Sequence, residues 1–263
     1  MQSNNPVFNR SDAFSGRGGV GSAPAGMTAA ELQDLYDQPS ATPPVQRAGT
    51  MTYDLVVVRT AMVFALVLAG AAVGWFVAPG LAFPAMIVGL VLGLVNAFKR
   101  EPSPPLILAY GAVQGVFLGG ISLWFNQMWP GVVQTAVIAT LCVFGVALLA
   151  YTQRWIRVTP KFRRGVLIAL GGYLVFALVS FGAAMFGVGE GWGFRVGTFG
   201  VLVGLFAVGL AALVLVLDFD FIENGVRLGI EEKYAWTAAF GLAVTLIWLY
   251  IELLRLLAIL RGE

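Results

Sequence analysis

Histidine is absent from this chain of 263 residues, and cysteine occurs only once. Without histidine, the chain has no serine–histidine catalytic pair, no zinc site of the HExxH type and no haem held by histidine. The single cysteine, Cys142, excludes an internal disulfide bond and a thiolate metal cluster. Because Cys142 lies inside an apolar run, we expect a small apolar residue rather than a reactive thiol. These absences disfavour an enzyme, and we expect no resident metal or cofactor.

Charged residues are also scarce: they make up 11% of the chain, against about 25% in a typical soluble domain. The formal net charge of +2 is too small to suggest nucleic-acid binding by bulk electrostatics. In contrast, 59% of the residues are hydrophobic, and long apolar segments follow one another from about residue 56 to residue 260. A bilayer with a hydrocarbon core of about 30 Å needs roughly 20 such residues per helix. The partner that composition predicts is therefore the lipid bilayer.

The apolar segments predict seven transmembrane helices, because backbone polar groups in lipid must be satisfied within the helix. We expect an all-α fold, a polytopic bundle over residues 53–263, with a charged loop from Asp218 to Lys233. The predicted spans cover about residues 56–78, 81–98, 105–125, 132–151, 166–186, 196–217 and 235–260.

Residues 1–52 differ in kind from the rest of the chain. They are rich in serine, glycine, proline, asparagine and glutamine, and they contain no apolar run. This composition predicts a disordered polar tail and not a secretory signal peptide. A short helix near Thr28–Tyr36 is possible, since Thr28 could cap it with Glu31 three residues on.

Lysine and arginine concentrate in alternate loops, which predicts a cytoplasmic amino terminus and a multi-pass protein of the plasma (inner) membrane. The remaining loops between spans contain only Arg195, and Arg255 and Arg261 near the carboxyl end are a mild exception. The basic positions on the predicted cytoplasmic side are Arg10, Arg17, Arg47, Arg59, Lys99, Arg100, Arg154, Arg157, Lys161, Arg163, Arg164, Arg227 and Lys233.

Glycines recur every four residues on three of the predicted helices. Gly111, Gly115 and Gly119 do so on the third helix, and similar pairs occur on the second and sixth. Glycine on one face of a helix allows two backbones to approach closely in lipid. We therefore expect these glycines to mark tight helix packing, which is sufficient to explain them without a pore.

Glu252 is the sharpest polar signal in the last span, because an acid in mid-helix costs about 2.5–3.5 kcal/mol to insert. Such a residue normally faces the protein interior. The residues on the same face of the helix, one turn apart toward its start, are Trp248, Thr245, Gly241 and Ala238. Most of them are small, which suits this face to packing. Two interpretations are compatible and equally supported: a functional acid, and a local ion pair with the arginine three residues on, Arg255.

Asp218 and Asp220 are the second signal, at the end of the sixth span. Because they are two residues apart on a helix, they point about 200° apart, so only one can face the core. An interfacial pair leading into the loop is the plain alternative. If one of them meets another carboxylate away from water, the two would share a proton and act as a pH-sensitive latch. The same acids could instead ligate a hard cation.

Lys99 and Arg100 end the second span on the same side as these two acids. The positive-inside rule explains them without a special role, and this is the interpretation we favour. The alternative is that one of them reaches an acid of the sixth helix.

With these features together, the sequence resembles the Bax inhibitor/YccA family, also called the transmembrane Bax inhibitor motif family. The resemblance covers roughly Tyr53 to the carboxyl terminus, and rests on seven spans, a polar amino terminus and acids ending the sixth helix. It also rests on the last helix, where Leu249-Tyr-Ile-Glu252 stands at the family's leucine-tyrosine-leucine-aspartate. The long polar tail and the segment Leu217–Glu223 are similar to the actinobacterial branch.

The resemblance implies a seven-helix bundle with a central hydrophobic helix that acts as a pH-sensitive calcium leak channel. In the family, an aspartate of the sixth helix and one of the seventh share a proton and close the cytoplasmic side. On this chain the sixth-helix acid corresponds to Asp218 or Asp220 and the seventh-helix acid to Glu252. The nearby basic residue corresponds to Lys99 or Arg100. Ca²⁺ or another cation is then the transported ion.

Two other functions are alternatives to the channel. One is a membrane regulator that binds a membrane protease or a stress-response partner, with the amino-terminal tail as the natural contact. The other is an intramembrane hydrolase, which the missing histidine disfavours. The lack of a clear pair of acids deep in facing helices also argues against it.

Overall fold

The protein is described by a computed structural model over residues 49–191 and 193–262. Seven helices within these residues are long and apolar enough to cross a membrane. They confirm the predicted all-α polytopic fold. The helices are α1 Tyr53–Ala72, α2 Ala82–Phe98, α3 Pro104–Met128, α4 Val132–Thr152, α5 Pro160–Met185, α6 Gly197–Leu228 and α7 Tyr234–Gly262. A π-helical turn, Val73–Val77, extends α1, and short 3₁₀ turns cover Pro79–Leu81 and Val188–Gly191.

Local sequence explains several helix ends. Thr52 caps α1 by accepting a hydrogen bond from the Leu55 amide at 3.2 Å, and Thr159 caps α5 in the same way. Pro160 occupies the first turn of α5, where its missing N–H costs nothing. Gly229 ends α6 in the left-handed conformation, at φ 62°, which glycine adopts without strain.

The predicted loop from Asp218 to Lys233 is wrong over its first eleven positions, because α6 continues as a helix to Leu228. The acids in this stretch look like the start of a loop in sequence. However, three residues of the same stretch are buried at helical spacing: Phe219, Ile222 and Gly225. Tertiary packing therefore extends the helix until Gly229 ends it, and both aspartates lie within a regular helix.

Helix α7 lies at the centre of the bundle. It packs against α6, α1, α4 and α3, and its small residues Ala235, Ala239 and Ala243 are fully buried. Helices α2 and α5 are peripheral, with α2 packed on α3 and α5 on α6. The bundle thus has the central hydrophobic helix that the family resemblance implied.

The glycines of α3 produce a close contact with α1. A Cβ added at Gly115 would overlap the carbonyl oxygen of Val67, and one added at Gly119 would overlap that of Ala71. On α1, Gly70 lies against the backbone of α3 in the same manner. The prediction that these glycines mark tight helix packing is confirmed.

The basic loops meet at one end of the bundle, which we call the basic end. Lys233 forms a salt bridge with Glu101 at 3.1 Å, which joins the α6–α7 loop to the α2–α3 loop. Arg154, after α4, lies 3.8 Å from Glu223 of α6. The predicted grouping of the alternate loops on one side is therefore confirmed, while Arg195, Arg255 and Arg261 lie toward the opposite end.

Residues just before α1 are held at this basic end. Thr50 forms an isolated antiparallel bridge with Glu231, and the Met51 amide donates to the Ile230 carbonyl at 2.8 Å. The Met51 side chain is buried against Gly225 of α6. The predicted tail spans residues 1–52; its residues 1–48, including the possible helix Thr28–Tyr36, lie outside the described part of the chain.

Candidate functional site at the α6–α7 interface

Asp218 is the α6 acid that faces α7. Its Oδ2 accepts a hydrogen bond from the hydroxyl of Thr245 at 2.7 Å, and its Oδ1 lies beside Gly241, one turn earlier on α7. Thr245 and Ala238 are buried, as expected for the small face predicted on α7. Glycine and threonine on this face thus provide both the space and the donor for the carboxylate.

Asp220 points to a different neighbourhood. The charged groups that interact with it electrostatically are Glu223, Arg163 and Arg227, which belong to the basic end. Glu223 itself accepts a hydrogen bond from the hydroxyl of Tyr151 on α4. Helical geometry allowed only one of the two aspartates to face the core, and in the structure Asp218 contacts α7 while Asp220 lies among the basic-end charges.

Glu252 lies in a separate cluster near the opposite end, which we call the arginine clasp: Tyr173, Arg195, Trp248, Glu252 and Arg255. Its Oε1 accepts hydrogen bonds from the Tyr173 hydroxyl, Arg195 at 3.4 Å and the Trp248 indole at 3.2 Å. Its Oε2 accepts from Arg255. Glu252 is only 3% exposed, and both oxygens of this buried carboxylate accept hydrogen bonds.

The local ion pair of Glu252 with Arg255 is therefore present, and a second arginine joins it from the α5–α6 loop. The Arg195 guanidinium also stacks over the rings of Tyr173, at 5.1 Å, and Phe176, at 5.5 Å. Together these contacts tie α7 to α5 and to the start of α6.

The two predicted latch acids have different partners in this structure. Asp218 meets α7 at Thr245, and Glu252 follows seven residues later, which is about 10 Å along the helix at about 1.5 Å per residue. Over residues 49–191 and 193–262, no hydrogen bond or salt bridge joins Glu252 to Asp218 or Asp220. The structure thus brings one α6 acid to α7 without pairing it with the α7 acid.

Lys99 and Arg100 follow the end of α2 at the basic end, and both are exposed. Neither forms a salt bridge with another residue in the described part of the chain. Lys233, and not Lys99, is the lysine that bonds the α2–α3 loop. A role for Lys99 or Arg100 as the basic partner of the acids stays a prediction.

Sequence reasoning missed three residues that define these sites: Thr245 as the donor to Asp218, and Tyr173 and Arg195 as partners of Glu252. One signal for Arg195 was available, because it is the only basic residue in the loops of the opposite end between spans. A lone cation beside a membrane-buried acid is a candidate partner for it.

A comparison with protein-family models matches residues 5–262 to a family described as Bax inhibitor 1 like. The chain belongs to the Bax inhibitor 1-like family. The match covers nearly the whole chain, so it includes both the α6–α7 interface and the arginine clasp. The comparison with curated proteins found no significant match. The protein is thus a multi-pass membrane protein of this family.

Proposed function

We propose that this protein is a cation leak channel whose calcium flux responds to protonation of Asp218. The observation that carries the proposal is the position of Asp218 against the central helix. There it accepts one hydrogen bond, from the Thr245 hydroxyl, and it forms no salt bridge with any other described residue. Family membership supports the same class of function.

Physical chemistry supports a switching role for a carboxylate in this position. A charge inside the bundle without an opposite charge is costly unless a proton or a cation neutralises it. Hard cations such as Ca²⁺ bind carboxylate and hydroxyl oxygens, which Asp218 and Thr245 offer together. Binding or release at Asp218 would alter the contact between α6 and α7, and α7 packs against most of the other helices.

Glu252 has a different part in this proposal. Two arginines already neutralise it, so it is poorly placed to exchange protons with Asp218 in this arrangement. A shared proton between the α6 and α7 acids would need the helices to slide by about two turns. We therefore propose that the arginine clasp anchors α7 and that Asp218 responds to pH.

Calcium flux tests the proposal. Full-length protein in liposomes, with a calcium indicator inside, is compared at one acidic and one alkaline pH on either side of neutrality. We expect wild-type flux to differ between the two, and Asp218→Asn to remove the difference, because asparagine keeps the shape but does not titrate. Asp220→Asn is the matched control on the same helix and should retain the pH response.

Three outcomes would contradict this proposal. Flux in Asp218→Asn that equals wild type at both pH values would exclude Asp218 as the responding group. Loss of the pH response in Asp220→Asn alone would assign the role to the other aspartate. Flux no greater than in empty liposomes at either pH would show that the protein does not act as a calcium channel.

We further propose that the basic end lies in the cytoplasm, in a protein of the plasma membrane, with Lys99 or Arg100 beside the acids of α6. The support is the concentration of lysine and arginine in the four segments that meet there. This orientation places the amino terminus and Asp220 on the cytoplasmic side. The proposed function involves no catalysis.

A second candidate function is regulation of a membrane protease or a stress-response partner through the amino-terminal residues. One observation favours it: Gly49–Met51 pairs with the α6–α7 loop. A partner held by the preceding residues would therefore act on α6, the helix that contains Asp218. Deletion of residues 1–48 should then abolish copurification of the partner and leave the bundle folded. Unchanged copurification would exclude the tail as the contact.

A further inference from the structure

A cavity of about 540 Å³ opens beside the arginine clasp. Helices α3, α5 and α7 form its walls, and Arg195 and Arg255 line it together with Ser180. It lies toward the end of the bundle opposite the basic end. It is separate from the α6–α7 contact at Thr245, so the proposed function does not use it.

The charges around this cavity do not balance. Two guanidinium groups, of Arg195 and Arg255, share the single carboxylate of Glu252, which leaves one excess positive charge among the described residues of the clasp. Arg195 is only 6% exposed, and its Nε has no hydrogen-bond partner in the described part of the chain. A buried positive charge without a counter-charge is costly, and an anion in the cavity beside Arg195 and Arg255 would balance it.

The remaining lining is apolar and open to the surrounding lipid. Trp124 and Phe181 line the cavity, and they remain 43% and 53% exposed on the outside of the bundle. Ala177 and Ala184 of α5 leave the space between them and α3 free. A ligand for this site would therefore combine an anionic group at the arginines with an apolar chain along the aromatic side chains.

We propose that this cavity binds an anionic phospholipid, with the headgroup phosphate at Arg195 and Arg255 and an acyl chain past Trp124 and Phe181. Phosphate oxygens suit guanidinium donors. The position also fits, since the arginines lie near one membrane face while the aromatic mouth faces the hydrocarbon. Free phosphate carries the same anionic chemistry, and only the acyl chain distinguishes a lipid from it.

Native mass spectrometry of the full-length protein in detergent tests the site. Phosphatidylglycerol and phosphatidylcholine with identical acyl chains are titrated separately, and phosphatidylglycerol is also titrated with excess inorganic phosphate present. We expect phosphatidylglycerol to bind at least about tenfold more tightly than phosphatidylcholine, because both lipids carry a phosphate but only phosphatidylcholine carries a choline cation, which the two arginines repel. Inorganic phosphate should displace little of it, because phosphate lacks the chain.

Two variants separate the headgroup from the chain. Arg255→Gln should bring phosphatidylglycerol binding down to the phosphatidylcholine level. Ala184→Leu fills part of the cavity from a position outside the clasp, and it should weaken the binding of both lipids. Arg261→Gln is the charge control, because Arg261 is an exposed arginine at the same end that bonds the Pro130 carbonyl. Gly182→Leu is the bulk control on α5, since a side chain there meets open space.

The site is overturned if the two lipids bind equally in wild type. It is also overturned if Ala184→Leu, folded as judged by its melting temperature, keeps wild-type affinity for phosphatidylglycerol. Complete displacement by inorganic phosphate would overturn the lipid assignment and show an adventitious ion only.

Discussion

Replacing Glu252 by glutamine is expected to lower the free energy of unfolding by about 3–5 kcal/mol, since it leaves the buried Arg195 and the partly buried Arg255 without a counter-charge. Arg195 and Glu252 are almost fully buried, with side chains 7% and 4% exposed. Water therefore does little to solvate the arginine once the carboxylate is gone. The measurement is reversible unfolding of the purified protein in mixed micelles, followed by the loss of helical signal.

The control for this variant is Glu223→Gln, which removes an acid from an exposed pair. Arg154, its partner, is 78% exposed, so we expect a loss of less than about 1 kcal/mol. The double variant Glu252→Gln/Arg255→Gln removes one of the unpaired charges and should recover part of the stability. Equal, small losses for Glu252→Gln and Glu223→Gln would show that the clasp does not stabilise the bundle.

Substitution of Gly115 by alanine is expected to destabilise the protein by about 1–3 kcal/mol, because the added methyl group has no room. The obstacle is the backbone of α1 at Val67 and not a side chain that can rotate away. The two helices would have to separate, and α7 packs against both of them. The same unfolding measurement gives the magnitude, and Gly115→Ala/Gly119→Ala should exceed the single change.

Gly145→Ala provides the matched control on α4, where a Cβ meets nothing within 4 Å. Alanine favours a helix over glycine by about 1 kcal/mol, so this variant should be neutral or slightly more stable. A Gly115→Ala protein as stable as Gly145→Ala would contradict the close contact between α1 and α3.

Comparison of Glu252→Gln with Asp218→Asn also separates structure from the proposed transport. Glu252→Gln is expected to weaken the bundle while leaving the acid at Asp218 in place. Asp218→Asn is expected to change the pH response of calcium flux without removing any salt bridge of the described residues. If instead the pH response disappears in Glu252→Gln and persists in Asp218→Asn, the roles proposed for the two acids are reversed.

The sequence alone determined the number of spans, the peripheral position of most charges and the acids worth testing. These follow from local composition, because an apolar run of about 20 residues has one stable form in lipid. The alternation of basic and non-basic loops can also be read from the sequence, and it correctly predicted that four basic segments lie at one end of the bundle. The predicted start of the α6–α7 loop was wrong. Asp218 and Asp220 suggested a solvent-exposed loop, whereas burial of Phe219 and Ile222 keeps this stretch helical.

Apart from the local pair of Glu252 with Arg255, only the tertiary structure decided what each acid contacts. Glu252 bonds Tyr173 and Arg195, which are 79 and 57 residues away in the chain, and Asp218 bonds Thr245 across 27 residues. Such contacts depend on which helices pack together and at what rotation, and the periodicity of a single apolar helix does not specify either. For this reason sequence identified three candidate acids but not their distant partners, whereas the folded bundle neutralises Glu252 with two arginines and leaves Asp218 with a threonine.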